Sequence, residues 1–290
     1  MMTKLAFVIL NYGTFEETKE CISSIFKYID VEEYKIVIVD NGSPDNSLGK
    51  LEDEYRKVEK VDIVPIKENI GFARGNNVGI RYANDNYDPK FVVVLNSDTE
   101  IFQNDFYYKV SEVYEKSHFG VLGPMMLTGN GRCDNSPWKP RTLEQMETQL
   151  KKMERDYKVC NRMPYLLCRI KNKISEILTN KKDLFHSHGD FWKYQEDVEL
   201  QGAFLVFSKD IFNYIEGFDS RTFLYYEEQL LCLAVKQANM KTVYVPQIAV
   251  YHKDGSSTKK IKKTKQKMLF LQECNIESLK VVVSEMKNSI

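Results

Sequence analysis

Four short runs of almost uninterrupted apolar residues set the frame of this chain: LAFVIL (5–10), YKIVIVD (34–40), VDIVPI (61–66) and KFVVVLNSD (90–98). A strand with one face in water alternates apolar and polar residues, whereas a strand covered on both faces does not. Between the runs lie TFEETKECISSIFKYI (14–29) and GFARGNNVGIRYAND (71–85), whose apolar residues recur at helical spacing. Buried strands alternating with helices give an α/β fold with a mixed, mainly parallel central sheet flanked by helices. In such sheets ligands bind outside the carboxyl ends of the strands. Asn11, Tyr12, Asp40, Asn41, Asn96, Ser97 and Asp98 all fall at those ends, so one crevice can collect them.

The second half is less regular. LQGAFLVFS (200–208) reads as a strand, EEQLLCLAVKQAN (227–239) as a helix, and KTVYVPQIAVYH (241–252) as one or two short strands. Residues 125–195 hold Pro137, Pro140, Pro164 and both tryptophans, with weaker periodicity. There is no internal repeat and no low-complexity linker. A single domain with a helical insertion or lid around 130–195 fits a chain of 290 residues better than two separate domains.

Charge and cysteine content exclude several classes of function. The formal net charge is zero, so the chain lacks the basic field of a general nucleic-acid binder. Cationic residues are concentrated locally. Residues 151–182 carry ten (Lys151, Lys152, Arg155, Lys158, Arg162, Arg169, Lys171, Lys173, Lys181, Lys182) against three acids, and KKIKKTKQK (259–267) carries six lysines and no acid. MPYLLCRIKNKISEIL interleaves apolar and cationic residues at helical spacing, either as a solvated face or as a surface for an anionic membrane. Six scattered cysteines without a CxxC pair read as reduced thiols rather than a zinc site. No window reaches the roughly 20 apolar residues of a membrane span, and the N-terminus is too short in apolar residues for a signal sequence. The expectation is a cytoplasmic protein that can touch the inner face of the cell membrane.

Each polar candidate has a plain alternative. Asp40-Asn41-Gly42-Ser43 suits a turn. Gly71, Gly75 and Gly79 do not form the dinucleotide fingerprint and suit a helix packed close to the sheet, with Arg74 either at the surface or on a phosphate. Asp98, at the exit of a buried strand, needs a partner: a divalent cation such as Mg²⁺ or Mn²⁺, or the N-terminus of a helix starting near Asn104. Glu227 and Glu228 are placed for a helix first turn, or for a general base whose pKa aromatic neighbours raise. His252 ends a strand, exposed or on a metal. His186 and His188 form an HxH pair with no third ligand close in sequence.

Taken in order, these blocks resemble the inverting glycosyltransferases of family 2, which have the GT-A fold. VILNYGTFEETKECISSI, IVIVDNGSPDNS, ENIGFARGNNVGI, VVVLNSDTEI and the stretch from LQGAFLVFS to YHKDGSS carry the resemblance, over residues 4–127 and 198–258. The variant with Asn96 two residues before Asp98, and FLYYEE downstream, is most similar to rhamnosyltransferase-type members of bacterial cell-surface polysaccharide synthesis. The resemblance implies a nucleotide-sugar-binding half (1–127) and an acceptor and catalytic half (198–258); outside it lie a variable insertion (128–197) and a basic helical C-terminal tail (259–290). It implies a UDP- or dTDP-linked sugar donor, rhamnose among the candidates, and a glycan or lipid-linked glycan acceptor.

By the same resemblance Tyr12, Asp40, Asn41, Arg74, Asn96 and Gly202 bind the nucleotide-sugar, and Asp98 and His252 hold Mg²⁺ or Mn²⁺ on its diphosphate. The second acid of the family's pair, the catalytic base, maps to Glu228, with Glu227 as the alternative. This chain departs from the common Glu-Asp, followed two positions on by Asp, and has Glu227-Glu228-Gln229-Leu230 instead. Two other readings stay open: a nucleotidyltransferase of related layered fold, which should carry a basic phosphate-cradling loop that NYGTFEE lacks, and a catalytically inactive nucleotide-sugar- or glycan-binding relative.

Overall fold

A computed structural model describes residues 3–128, 133, 137–170, 191–253 and 264–289. The four apolar runs form β1 (Leu5–Asn11), β2 (Tyr34–Asn41), β3 (Val61–Ile66) and β4 (Phe91–Asn96). Helices α1 (Phe15–Tyr28), α2 (Ser47–Tyr55) and α3 (Phe72–Tyr87) connect them. Then follow β5 (Thr99–Ile101), α4 (Phe106–Ser117), β6 (Val121–Leu127), α5 (Leu143–Arg162), β7 (Gln195–Glu196) and β8 (Phe204–Ser208). The chain ends in α6 (Glu227–Gln237), β9 (Thr242–His252) and α7 (Lys265–Asn288).

All nine described strands form one sheet in the order β3-β2-β1-β4-β8-β6-β9-β5, with β7 also on β9. Strands β1 to β4 pair in parallel, β8 lies antiparallel between β4 and β6, and β6 and β9 pair in parallel again. The sheet is therefore mixed and mainly parallel, as expected.

The continuous apolar runs follow from burial on both faces. Phe7, Ile9, Ile36, Ile38, Val93 and Leu95 pack with Ile22, Ile25, Leu51 and Phe106 of α1, α2 and α4. Their neighbours Ala6, Val8, Val37, Val39, Val92 and Val94 pack on the other face with Ala73, Ile80 and Ala83 of α3. The glycines of α3 let it approach closely. A Cβ on Gly75 would stand 2.7 Å from Leu10 Cδ1, and one on Gly79 2.8 Å from Val39 Cγ2.

The second half departs from expectation in three places. Only Phe204–Ser208 of the 200–208 run is strand, because residues 200–203 leave the ladder where the Gly202 N–H turns to Glu228. Residues 242–252 form one long strand whose register on β6 shifts between Pro124 and Met125. The helix after Asp98 starts at Phe106, with Asp105 before it, so Asp98 is not its cap and leads into β5 instead.

The C-terminal segment is helical, and it is seated on the body. Leu279, Val282 and Val283 of α7 pack with Met146 of α5 and with Tyr226 and Leu230. Lys287 pairs with Glu147 at 2.7 Å across the same contact. Among the described residues no helix is long and apolar enough to cross a membrane. His186, His188, residues 171–182 and residues 259–263 lie outside the described residues.

Candidate active site

The carboxyl ends of β1, β2 and β4 are tied together by one buried carboxamide. Asn11 donates from Nδ2 to Asp40 Oδ1 (2.6 Å) and Ser43 Oγ (3.1 Å). Its Oδ1 accepts from Thr14 N, Thr14 Oγ1 and Thr18 Oγ1. Thr14 Oγ1 in turn lies 2.9 Å from Ser97 Oγ, beside Asp98. A buried polar side chain left without partners costs about 1–3 kcal/mol, so this network fixes the floor of the crevice.

Asp40 holds its own turn as well, accepting from Ser43 N (3.1 Å) and Ser43 Oγ (2.5 Å). Gly42 makes that turn possible: its φ is +67°, and a Cβ there would meet the Glu68 backbone at 2.6 Å. Asn41 braces the next loop, donating to Asn69 Oδ1 and Gly71 O and accepting from Ile70 N. Tyr12, at 40% exposure, is the large apolar side chain left open at this end of β1. Arg74 sits in the first turn of α3, and its Nε donates to Ser220 O at 2.8 Å. It therefore faces the 215–221 segment.

Asp98 is nearly buried, and His252 Nε2 lies 3.4 Å from its Oδ1. Two backbone features set this distance: Thr99 of β5 pairs with His252 of β9, and Lys253 N donates to Asp98 O at 2.9 Å. Among the described residues no cluster of three or more His, Cys, Asp or Glu side chains is placed to hold a metal ion. One carboxylate and one imidazole suit a hard cation only when other oxygens, such as those of a diphosphate, complete its shell.

A second acid lies close by through a short backbone path. Asn96 N donates to Ala203 O at 2.9 Å, and the adjacent Gly202 N donates to Glu228 Oε1 at 3.1 Å. A side chain at position 202 would stand 2.8 Å from that carboxylate oxygen. The Asp98 strand end and Glu228 thus flank one segment, 202–203. Burial raises the Glu228 pKa, opposed by its own backbone N–H and that of Gly202. Glu227 is the deeper of the pair at 3% exposure, and burial, then the charge of Glu228, push it up to about 8.

The pair is presented by an unusual backbone. Tyr225 and Tyr226 both lie in the left-handed region, with φ of 77° and 66°. Such residues cost about 1–3 kcal/mol each and persist where surrounding contacts over-determine them. Here Gln149 Nε2 of α5 donates to the Tyr226 hydroxyl at 2.8 Å, and the Arg141 guanidinium stands 5.9 Å above its ring. Ser278 of α7 donates to Leu224 O at 2.9 Å.

Glu199 is the residue that the sequence gives no reason to single out. Buried at 3%, it accepts from Arg141 N, lies 3.6 Å from Arg141 Nη2, and accepts from Gln229 Nε2 at 2.9 Å. Its backbone pairs in both directions with Trp138. One carboxylate therefore joins the insertion to the residue after Glu228. Its partner Arg141 is 58 positions away, beyond the reach of any local pattern.

The sequence profile described as glycosyl transferase family 2 matches residues 6–215. The chain belongs to glycosyl transferase family 2. Among curated family relatives, the Haloferax volcanii low-salt glycan biosynthesis hexosyltransferase Agl10 is 24% identical over 83% of this chain and 64% of its own length. The chain thus spans a little under two thirds of that relative. The Shigella flexneri dTDP-rhamnosyl transferase RfbF is 21% identical over 90% of this chain and 73% of its own length. Among solved structures, Staphylococcus aureus TarS 1–349 in complex with UDP covers 86% of this chain and 60% of its own, at 18% identity and a TM-score of 0.55. GalNAc-T7 with UDP, GalNAc and Mn²⁺ covers 87% of this chain and 44% of its own, at 13% identity and a TM-score of 0.56. These likenesses give the family 2 chain a GT-A fold.

Proposed function

We propose that this chain is an inverting glycosyltransferase that moves a sugar from a UDP- or dTDP-linked donor to a glycan or lipid-linked glycan, in the cytoplasm at the inner face of the cell membrane. The observation that carries the proposal is the Asn96–Ala203 and Gly202–Glu228 bond pair, which sets an Asp-ended strand and a half-buried acid on either side of one segment. Transfer to a hydroxyl needs charge control on the departing diphosphate and a carboxylate to take the acceptor proton. The relatives' names support the donor class: Agl10 is a hexosyltransferase of glycan biosynthesis and RfbF a dTDP-rhamnosyl transferase.

In this proposal the base lies against the exposed Tyr12 ring, with Asp40 as its hydrogen-bond acceptor. Asn41 positions the Ile70–Gly71 backbone, and Asn96 and Gly202 line the sugar side. Asp40 also holds Ser43, so base recognition and turn stability are coupled in one carboxylate. The Arg74 Nε bond to Ser220 O orients the guanidinium, whose Nη groups would serve a phosphate.

Asp98 and His252 would hold Mg²⁺ or Mn²⁺, together with diphosphate oxygens of the donor. A cation so bound neutralises charge building on the leaving diphosphate. Glu228 takes the acceptor proton as the hydroxyl oxygen attacks the anomeric carbon, and the bond to the diphosphate breaks on the opposite side. One such displacement inverts the anomeric configuration. Burial and the charge of Glu228 favour the protonated form of Glu227, while the backbone N–H groups of Glu228 and Gly202 favour the charged form of Glu228 against its own burial.

A thermal-shift screen of nucleotide-sugars, with and without Mn²⁺, tests the donor class. A ligand of the folded state at about 100 times its Kd adds about 2.7 kcal/mol of stability. A UDP- or dTDP-sugar should raise the melting temperature, and turnover to free nucleotide should follow on adding acceptor. Stabilisation by a donor with no turnover under any acceptor would mark a binding protein instead.

A further inference from the structure

We infer that the outer face of α5 and of the following turn, residues 151–170, is a docking surface for an anionic lipid bilayer. This deepens the proposed function, resting on it only for the nature of the acceptor. Across this stretch the exposed residues are Lys151, Lys152, Arg155, Lys158, Arg162 and Arg169, the apolar Val159, Leu166, Leu167 and Ile170, and Asn161 and Pro164. No acid is among them, in a chain whose net charge is zero. The two acids of the stretch, Glu154 and Asp156, are only partly exposed, and Glu154 lies 3.8 Å from Lys280 of α7.

The spacing makes this a face rather than a scatter. Residues 151, 155, 158, 159 and 162 follow helical periodicity on one side of α5, while Met146, Leu150 and Met153 pack against α7 and Tyr226 on the other. The next turn is fixed by its buried cysteine: Cys168 Sγ donates to Cys160 O at 3.1 Å. That contact directs Leu166, at 66% exposure, and Ile170, at 49%, to the outside. Phe270 of α7, 47% exposed, belongs to the same end, where Lys265 Nζ donates to Asn161 O at 2.8 Å.

Charge complementarity decides the occupant. A second copy of this chain would set six cations against six, whereas an anionic bilayer offers opposite charge for the cations and an apolar layer for Leu166 and Ile170. From Gln149, which holds Tyr226, to Arg162 the helix rises about 20 Å. The face thus lies on the same helix whose Gln149 holds Tyr226, two residues before Glu228.

Vesicle flotation of the full chain tests this, using phosphatidylcholine vesicles with and without an equal share of phosphatidylglycerol. Binding should require phosphatidylglycerol and weaken as salt rises. Each cation near the surface contributes roughly fivefold in binding, so Lys158→Gln with Arg162→Gln should lose roughly 25-fold. Leu166→Ser with Ile170→Ser should also weaken it. All variants should keep the wild-type melting temperature and donor turnover on a soluble acceptor, which separates failure of docking from failure of the proposed reaction. Equal binding to neutral vesicles, no binding to anionic ones, or binding indifferent to both double variants would overturn the inference. So would conversion of a dimer to monomer by the Leu166 and Ile170 changes without loss of vesicle binding.

Discussion

Replacing Glu227 with glutamine probes the deeper of the two acids. Its carboxyl is 3% exposed, Oε1 has no hydrogen-bond partner among the described residues, and its pKa is pushed from 4.5 to about 8. In the unfolded chain the carboxyl returns to its ordinary value. Between the two values the folded state keeps a proton that the unfolded state has released. Stability therefore falls as pH rises through this window, and the full penalty is present above the folded value. At about 1.4 kcal/mol per pH unit, going from about pH 5.5 to about pH 8 costs about 3 kcal/mol from this one group. Glutamine has the same shape and does not ionise. Urea unfolding of both proteins at the two pH values should show the wild type losing about 3 kcal/mol more than the variant. Parallel losses would refute the placement of Glu227 as a buried, protonated acid.

Further expectations follow from the same geometry. Glu199→Ala strips partners from the Arg141 N–H, the Arg141 guanidinium and the Gln229 amide. It should cost about 2 kcal/mol of stability by chemical denaturation, and should lower kcat while donor Kd stays near wild type. Gly79→Ala gains about 1 kcal/mol of helix propensity but forces a methyl against Val8 and Val39. Overpacking of about 1–3 kcal/mol should win, giving a lower melting temperature. With one carboxylate and one imidazole in the site, Mn²⁺ alone should bind weakly in titration calorimetry and much more tightly with UDP present; tight binding without nucleotide would count against the Asp98–His252 assignment.

The parallel half of the fold is legible in the sequence because burial on both faces leaves continuous apolar runs such as Phe91 to Leu95. The helix α3 is equally plain, and its glycines mean close packing rather than a phosphate loop. Strand ends are legible for the same reason: Asp40 and Asp98 stand out only against the apolar residues before them. What the sequence conceals is set by partners far along the chain. The left-handed Tyr225 and Tyr226 look like ordinary aromatics until Gln149, Arg141 and Ser278 are seen holding that segment. Leu200 to Ala203 has strand composition, yet it leaves the ladder to reach Glu228. The C-terminal segment reads as a basic helical tail, and its lysine run gives no sign that Leu279, Val282 and Val283 behind it seat the helix on α5. The bond from Arg74 Nε to Ser220 O, 146 positions away, is likewise invisible in the sequence.

The central claim is that Glu228 takes the acceptor proton while Asp98 serves the diphosphate on the other side. Its most direct test is transfer rate and donor Kd measured together for wild type and Glu228→Gln. General-base catalysis contributes about 10²–10⁴-fold, so kcat should fall by that factor while the nucleotide-sugar still binds within about twofold of wild type. A variant that transfers sugar at the wild-type rate would contradict the account.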